Sequence, residues 1–307
     1  MVEISHLLVI LGPTATGKTE LAVKLARDLN GEIISADSRQ VYKGLDIGTG
    51  KDLALYSSVQ PSVKYHLIDI CSPGETYNTY RFKHDFLQVA QDIESRGKLP
   101  ILCGGTGLYI EAVLLDYEFF PAKPDYALRE QLKLRSNESM VEQLEQLGFA
   151  LSEEDRHNRH RLMRKLEVAL RSEDKNYFLS IGIKKSLVIG VKLERARIRE
   201  KISQRLEKRL QEGMIEEVQH ILQQGISVDW LMSLGLEYKY ITLFLQGQLT
   251  YHEMKKQLET AIHRFAKRQE TWFRRMEKRG ITIHWFNPEH ESFEQLLEKI
   301  KILWLNS

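Results

Sequence analysis

With 307 residues, 42% of them hydrophobic and 28% charged, the chain has enough apolar material for one large or two modest folded domains. A formal net charge of +2 is too small to announce a nucleic-acid binder, so only a local concentration of cations can do that. No window approaches the roughly 18 apolar residues of a membrane span. The opening Met1-Val2-Glu3-Ile4-Ser5-His6 resembles neither a secretory nor an organellar leader, so a cytosolic protein is expected.

In chain order, His6 to Leu11 reads as a buried strand, and Thr19 to Leu29 as a helix with Leu21, Ala22, Leu25 and Ala26 on one face. Glu32 to Ser35, Tyr65 to Ile70 and Leu99 to Cys103 are further strand candidates. An amphipathic helix over Tyr80–Arg96, ended by Gly97, separates the last two. Strands apolar at every position and separated by helices predict a parallel sheet covered on both faces. After about Tyr117 the pattern turns helical and highly charged, from Ala127 to about Ser172, before Lys185 to Leu193 returns as a buried strand. From Ala196 to Arg279 the chain is helical, with turns at Gly213, Gly225, Gly235 and Gly247. Ile281 to Phe286 is a last strand, and Glu291 to Leu303 a terminal helix. Cys71 and Cys103 end apolar runs without partners at metal spacing and are expected to be buried, inert thiols.

Gly12-Pro13-Thr14-Ala15-Thr16-Gly17-Lys18-Thr19 fits the pattern G-x-x-x-x-G-K-[ST] between an apolar strand and an amphipathic helix. Glycines let the backbone wrap a phosphate, the helix presents its positive end, Lys18 neutralises phosphoryl oxygens, and the Thr19 hydroxyl ligates Mg²⁺. The expected fold class is therefore α/β, a P-loop-type parallel sheet flanked by helices, with a helical insertion domain. Its segments are 1–119 (first part of the core), 120–182 (the insertion) and 183–307 (core continuation with basic C-terminal helices).

Such a loop identifies a polyphosphate and leaves the reaction open. Asp37, in Ser35-Ala36-Asp37-Ser38-Arg39-Gln40-Val41-Tyr42, should lie at the carboxyl edge of the sheet facing the loop. It is either a general base or the cap of a turn. Ser38, Arg39 and Gln40 have the groups to hydrogen-bond a substrate base. Lys43 to Lys51 continues as a glycine-punctuated loop. Gly104-Gly105-Thr106 is either a tight turn or a close backbone approach to a ligand, with the Thr106 hydroxyl beside it.

Together these stretches closely resemble the tRNA dimethylallyltransferase (isopentenyl-tRNA transferase) family. The likeness rests on Gly12 to Thr19, Asp37 to Tyr42, Asp46-Ile47-Gly48-Thr49-Gly50-Lys51, His66-Leu67-Ile68-Asp69 and Gly104 to Tyr109. It continues in Arg161-Leu162-Met163-Arg164-Lys165-Leu166-Glu167 and in Ala266 to Arg274, so it covers nearly the whole chain. The resemblance implies that the loop holds the diphosphate of dimethylallyl diphosphate with Mg²⁺. It makes Asp37 the base toward the exocyclic amine of the adenosine 3′ of the anticodon, with Thr106 opposite. Arg205 becomes a further cation toward the leaving group, although read alone it is equally an exposed arginine on a charged helix.

Two clusters concentrate positive charge: Arg156 to Lys165, and Arg264 to Arg275 with Phe265, Trp272 and Phe273 interleaved. Alone, each reads as a solvated helix face. By resemblance Arg129, His160, Arg161, Leu162, Met163, Arg164, Lys267, Arg268, Gln269 and Arg274 contact the tRNA anticodon stem-loop, with Asp37, Ser38, Arg39, Gln40 and Thr106 at the target base. The chain departs from the common pattern at Leu236, Glu237, Ile262 and His263, all in RNA-facing segments. A monomer without membrane attachment is expected. The rival readings are a small P-loop kinase, which gives the basic aromatic helix no role, and an RNA-binding NTPase switch, which gives Asp37 none.

Overall fold

The first strand, β1 (Val2–Leu11), buries Ile4 and every residue from Leu7 to Leu11 completely, so both of its faces are covered. In this computed structural model, which describes residues 2–117, 119, 125–171 and 181–306, α1 (Lys18–Asp28), β2 (Gly31–Ala36) and a short α2 (Ala54–Ser57) follow. Next come β3 (Tyr65–His66), α3 (Thr79–Ser95), β4 (Leu99–Gly104) and α4 (Gly107–Leu114). The inserted segment holds α5 (Tyr126–Lys133), α6 (Asn137–Gln146), α7 (Glu153–His157) and α8 (Arg159–Arg171). Beyond it lie β5 (Ile181–Val191), α9 (Arg195–Gln211), α10 (Met214–Gln223), α11 (Val228–Leu234), α12 (Leu236–Leu245), α13 (Tyr251–Lys278), β6 (His284–Phe286) and α14 (Phe293–Asn306).

All six strands are parallel, in the order β3-β2-β4-β1-β5-β6. The parallel α/β class read from the continuous apolar runs is the class observed. Leu11 pairs with Gly104, and Ala36 pairs with the same Gly104 from the other side. The carboxyl ends of β2, β4 and β1 therefore finish level with one another, and the residues that follow them share one edge. A side chain at Gly104 is excluded, because a Cβ there would fall 2.2 Å from the carbonyl oxygen of Ala36.

One strand differs from expectation. The apolar stretch from Tyr65 to Ile70 supplies only two strand residues, because Leu67 and Asp69 adopt left-handed backbone conformations (φ 60° and 56°) that turn the chain off the sheet. His66 instead shares a hydrogen bond of 2.8 Å with the buried Glu32, which Arg96 and Lys98 also engage. These arginine and lysine hydrogen bonds hold the Glu32 carboxyl far below the usual carboxylate range.

The chain divides into two compact units, 1–117 with 181–307, and 118–180. The smaller is organised around Leu132, Met140, Leu144, Leu162, Met163 and Leu166. Of the expected junctions at 119–120 and 182–183, residue 120 lies outside the described residues, as do 121–124 and 172–180, with Ser172 at the expected end of the helical stretch. Both cysteines are free and buried, and burial raises the Cys103 thiol to about 12. No helix among the described residues is long and apolar enough to cross a membrane.

Candidate functional site

The glycine-rich loop joins β1 to α1. Ala15 and Gly17 take left-handed conformations (φ 65° and 83°), the kind of turn that in glycine-rich loops presents backbone N–H groups to an anion. Ala15 accepts this without the freedom of glycine, a strain tolerated where geometry serves a ligand. Gly12 cannot carry a side chain, since a Cβ would meet the Val191 carbonyl oxygen at 2.6 Å. Inside the loop, Thr16 Oγ1 donates to the Pro13 carbonyl at 2.9 Å, and Lys18 Nζ rests on the same carbonyl at 3.4 Å. Burial lowers the Lys18 ammonium from its ordinary value, so an anion that replaces lost hydration is welcome there.

Thr14 is held from two directions. Its N–H donates to Gln269 Oε1 at 2.9 Å, and its hydroxyl accepts from Arg205 Nη2 at 2.5 Å. Gln269 Nε2 donates to the Gly105 carbonyl, also at 2.9 Å, so one carboxamide from α13 ties the phosphate loop to the turn after β4. That turn is shaped around it: a Cβ on Gly105 would lie 2.5 Å from Gln269 Nε2. Burial first, then the like charge of Arg209, lower the Arg205 guanidinium to about 10, which leaves it protonated at neutral pH.

Asp37 begins directly after β2. One carboxylate oxygen accepts the Arg39 N–H at 2.9 Å in a tight turn, leaving the other oxygen for a substrate. Thr106 Oγ1 accepts from the Ser38 N–H at 3.1 Å and donates to Ser38 Oγ at 3.4 Å, so Thr106 and the Asp37 segment are directly joined. The Arg39 guanidinium donates to Ser38 Oγ at 3.0 Å. Gln40 faces inward: it accepts from Ser35 Oγ at 2.9 Å and donates to the Gly50 carbonyl at 3.0 Å. Its carboxamide braces the 46–51 loop, which differs from the base contact expected of it.

That loop is itself locked. Lys51 is fully buried and bonds to Asp46, Asp69 and the Tyr42 carbonyl. Glu217 accepts the N–H groups of Asp46, Ile47 and Gly48 at 2.7, 2.7 and 3.0 Å, and the Tyr238 hydroxyl at 2.8 Å. Reading the sequence alone missed Glu217, because nothing in an acidic helix start marks the loop it caps.

A family model described as IPP transferase matches residues 40–276, and one described as isopentenyl transferase matches residues 5–69. The chain belongs to the IPP transferase family. It is 50% identical to tRNA dimethylallyltransferase 1 of Azobacteroides pseudotrichonymphae genomovar. CFP2, over 92% of this chain and 93% of that one. With tRNA dimethylallyltransferase 1 of Parabacteroides distasonis the identity is 47%, over 97% of each. Among solved structures, the tRNA delta(2)-isopentenylpyrophosphate transferase of Staphylococcus epidermidis superposes with a TM-score of 0.69 at 30% identity, over 99% of this chain and 100% of that one. A eukaryotic dimethylallyltransferase acting on tRNA, at 19% identity and TM-score 0.72 over 97% of this chain and 80% of that one, shares the fold.

The remaining residues drawn from the family likeness divide sharply. On α13, started by a Thr250–Glu253 capping box, one face buries Leu258, Ile262, Ala266, Gln269 and Phe273. The other exposes Lys267, Arg268 and Arg274, and among the described residues none of these three has a carboxylate in salt-bridge contact. Arg268 lies over the Phe265 ring at 5.8 Å and Arg275 over Trp272 at 4.8 Å, while Trp272 packs on Gly107. Gln269, expected beside these cations as an RNA contact, is instead buried with both ends of its carboxamide bonded to the protein backbone.

Within the helical unit, Arg129 makes a two-pronged contact with the buried Glu167 at 2.9 and 2.8 Å, and Arg164 joins it at 2.5 Å. Burial alone would raise the Glu167 carboxyl, yet the two arginines hold it at about 2. Arg161 approaches Asp155 at 3.5 Å, and His160 is exposed. Leu162 and Met163 need correcting: their side chains are core residues, buried because an amphipathic helix must place every third or fourth residue inside. Arg159, part of the same basic run, donates to the carbonyls of Leu132, Lys133 and Arg135 and so closes the end of α5.

Proposed function

We propose that this chain transfers the dimethylallyl group of dimethylallyl diphosphate to the exocyclic amine of the adenosine immediately 3′ of the anticodon in tRNA, releasing diphosphate. The observation that carries the reading is the level finish of three neighbouring strands, which sets the phosphate loop, Asp37 and the Gly105–Thr106 turn side by side. A diphosphate in the loop meets inward N–H groups, Lys18 and Arg205, all aimed at charge that grows as its bond to carbon breaks. The amine nitrogen forms the new bond to that carbon, and its proton passes to the open oxygen of Asp37. Thr106, fixed on Ser38, orients the base from the opposite side. An adenine inside a folded loop must leave its stack to reach this edge.

The donor set fits Mg²⁺. Thr19 is half-buried at the start of α1, and among the described residues its hydroxyl has no protein hydrogen-bond partner. The described residues contain no group of three His, Cys, Asp or Glu side chains that would hold a metal alone, as suits an ion carried largely by phosphate oxygens and water. Bound there, it would supply further charge neutralisation to the leaving diphosphate. The exposed cations of α13 supply phosphate contacts, with Arg129, His160, Arg161 and Arg164 as those of the helical unit. The protein works as a cytoplasmic monomer in this reading.

The test is incubation of purified protein with labelled dimethylallyl diphosphate and unmodified tRNA, with and without ATP. Label should enter RNA without ATP and require a divalent ion. ATP turnover without prenylated RNA would replace this reading with a kinase or NTPase.

A further inference from the structure

Arg209 lies one helical turn beyond Arg205 on α9, and the i, i+4 spacing puts both guanidinium groups on the same helix face. It is only 8% exposed. Among the described residues its guanidinium has no hydrogen-bond acceptor and no carboxylate in salt-bridge contact. The contrast with Lys51, also buried beside this loop, is complete: that cation is satisfied by two carboxylates and a carbonyl.

The loop is shaped to admit the guanidinium. A Cβ built on Gly50 would fall 1.7 Å from Arg209 Nη2 and 2.6 Å from its Cζ, so any side chain at position 50 would occupy the space this group fills. Gly50 cannot easily retreat, because its carbonyl accepts the Gln40 carboxamide at 3.0 Å. A largely buried arginine with five donors, none of them taken up among the described residues and with a like charge beside it, is suited to an anion that completes it.

We propose that Arg209 is an anion-binding residue, gripping phosphoryl oxygens next to those held by the glycine-rich loop and Arg205, in a slot that the bare backbone of Gly50 leaves open. Two sources carry this chemistry, the diphosphate of the donor and a phosphodiester of the RNA. The first rests on the function proposed above and follows from the shared face with Arg205.

The test compares wild type with R209M, R209K, G50A and the R209M/G50A pair, using Mg²⁺-pyrophosphate and unmodified tRNA as probes in equilibrium binding. R209M is expected to lose roughly tenfold or more in pyrophosphate affinity, the loss of a charge-assisted contact. It should also raise Tm without ligand, because an uncompensated cation has been removed. R209K should fall between the two, and G50A should reproduce the R209M loss without adding to it in the double variant. Unchanged pyrophosphate affinity with a flatter salt dependence of tRNA binding supports the site and assigns it to the phosphodiester. A lower Tm with both affinities unchanged makes Arg209 a packing residue and overturns the proposal. Should R209M not fold, R209K and G50A carry the same readouts, and wild-type pyrophosphate affinity in both overturns it equally. These are binding measurements, so a wild-type protein that never prenylates RNA would refute the proposed reaction and leave this test standing.

Discussion

The carboxamide oxygen of Gln269 accepts the N–H of Thr14 at 2.9 Å across 255 residues of sequence. Its nitrogen reaches Gly105 with equal length, so a helix whose outer face is cationic has its inner face fastened to the phosphate loop. The loop therefore owes its shape to α13 as well as to its own glycines.

Replacing Gln269 by Ala leaves the Thr14 N–H and the Gly105 carbonyl without partners. Stability should fall by roughly 1–3 kcal/mol, the cost of buried groups left unsatisfied. Urea unfolding would measure this, and kcat/KM for the diphosphate donor should fall with it. Unchanged values in both would deny the bridge any importance.

Asp37→Asn keeps the turn, because an amide oxygen still accepts the Arg39 N–H, yet removes the proton acceptor. Prenyl transfer should drop by about 10²–10⁴, the range for lost general-base catalysis, with tRNA affinity preserved. A rate within twofold of wild type would remove Asp37 from its role.

Each exposed cation on α13 that meets an RNA phosphate contributes to the salt dependence of binding. Lys267→Ala and Arg268→Ala should each flatten the slope of log K against log salt by about 0.7–0.9, so their deficit is greatest in dilute salt. A slope identical to wild type would return these side chains to ordinary solvated surface.

Glu167 supplies a pH test. Its carboxyl is held at about 2 in the folded protein, below the unfolded value, so its stabilisation is whole above about pH 5 and drains as pH falls toward 2. Glu167→Gln should remove up to roughly 1–3 kcal/mol of stability near neutrality. It should also flatten the acid limb of a Tm-versus-pH curve, whereas a limb as steep as wild type would locate the acid sensitivity elsewhere.

The phosphate loop was legible because its residues are contiguous and its strand and helix announce themselves by periodicity. The parallel sheet was legible for the same reason, in the unbroken apolar runs of β1, β4 and β5. What could not be read were relationships across distance. Arg164 reads as part of a charge run and Arg129 as an RNA contact by family likeness, and only the fold reveals the buried Glu167 between them. Gln40 carries no mark of its inward bond to Gly50, and Gln269 none of its reach to Thr14. The shortened β3 turns on left-handed backbone at Leu67 and Asp69, and the leucine in an apolar run gives no warning of it.

The middle of the sheet has a temporal side. β1 is made well before its partner β5, which begins only at Ile181, after the whole inserted unit. On the ribosome a strand whose Leu7–Leu11 half is wholly apolar must wait through that interval with one ladder of backbone groups unmatched, the circumstance in which nascent chains stick to one another. Synthesis halted before Ile181 should therefore yield a product that depends on chaperones, and maturation should be slow and governed by this late, distant closure.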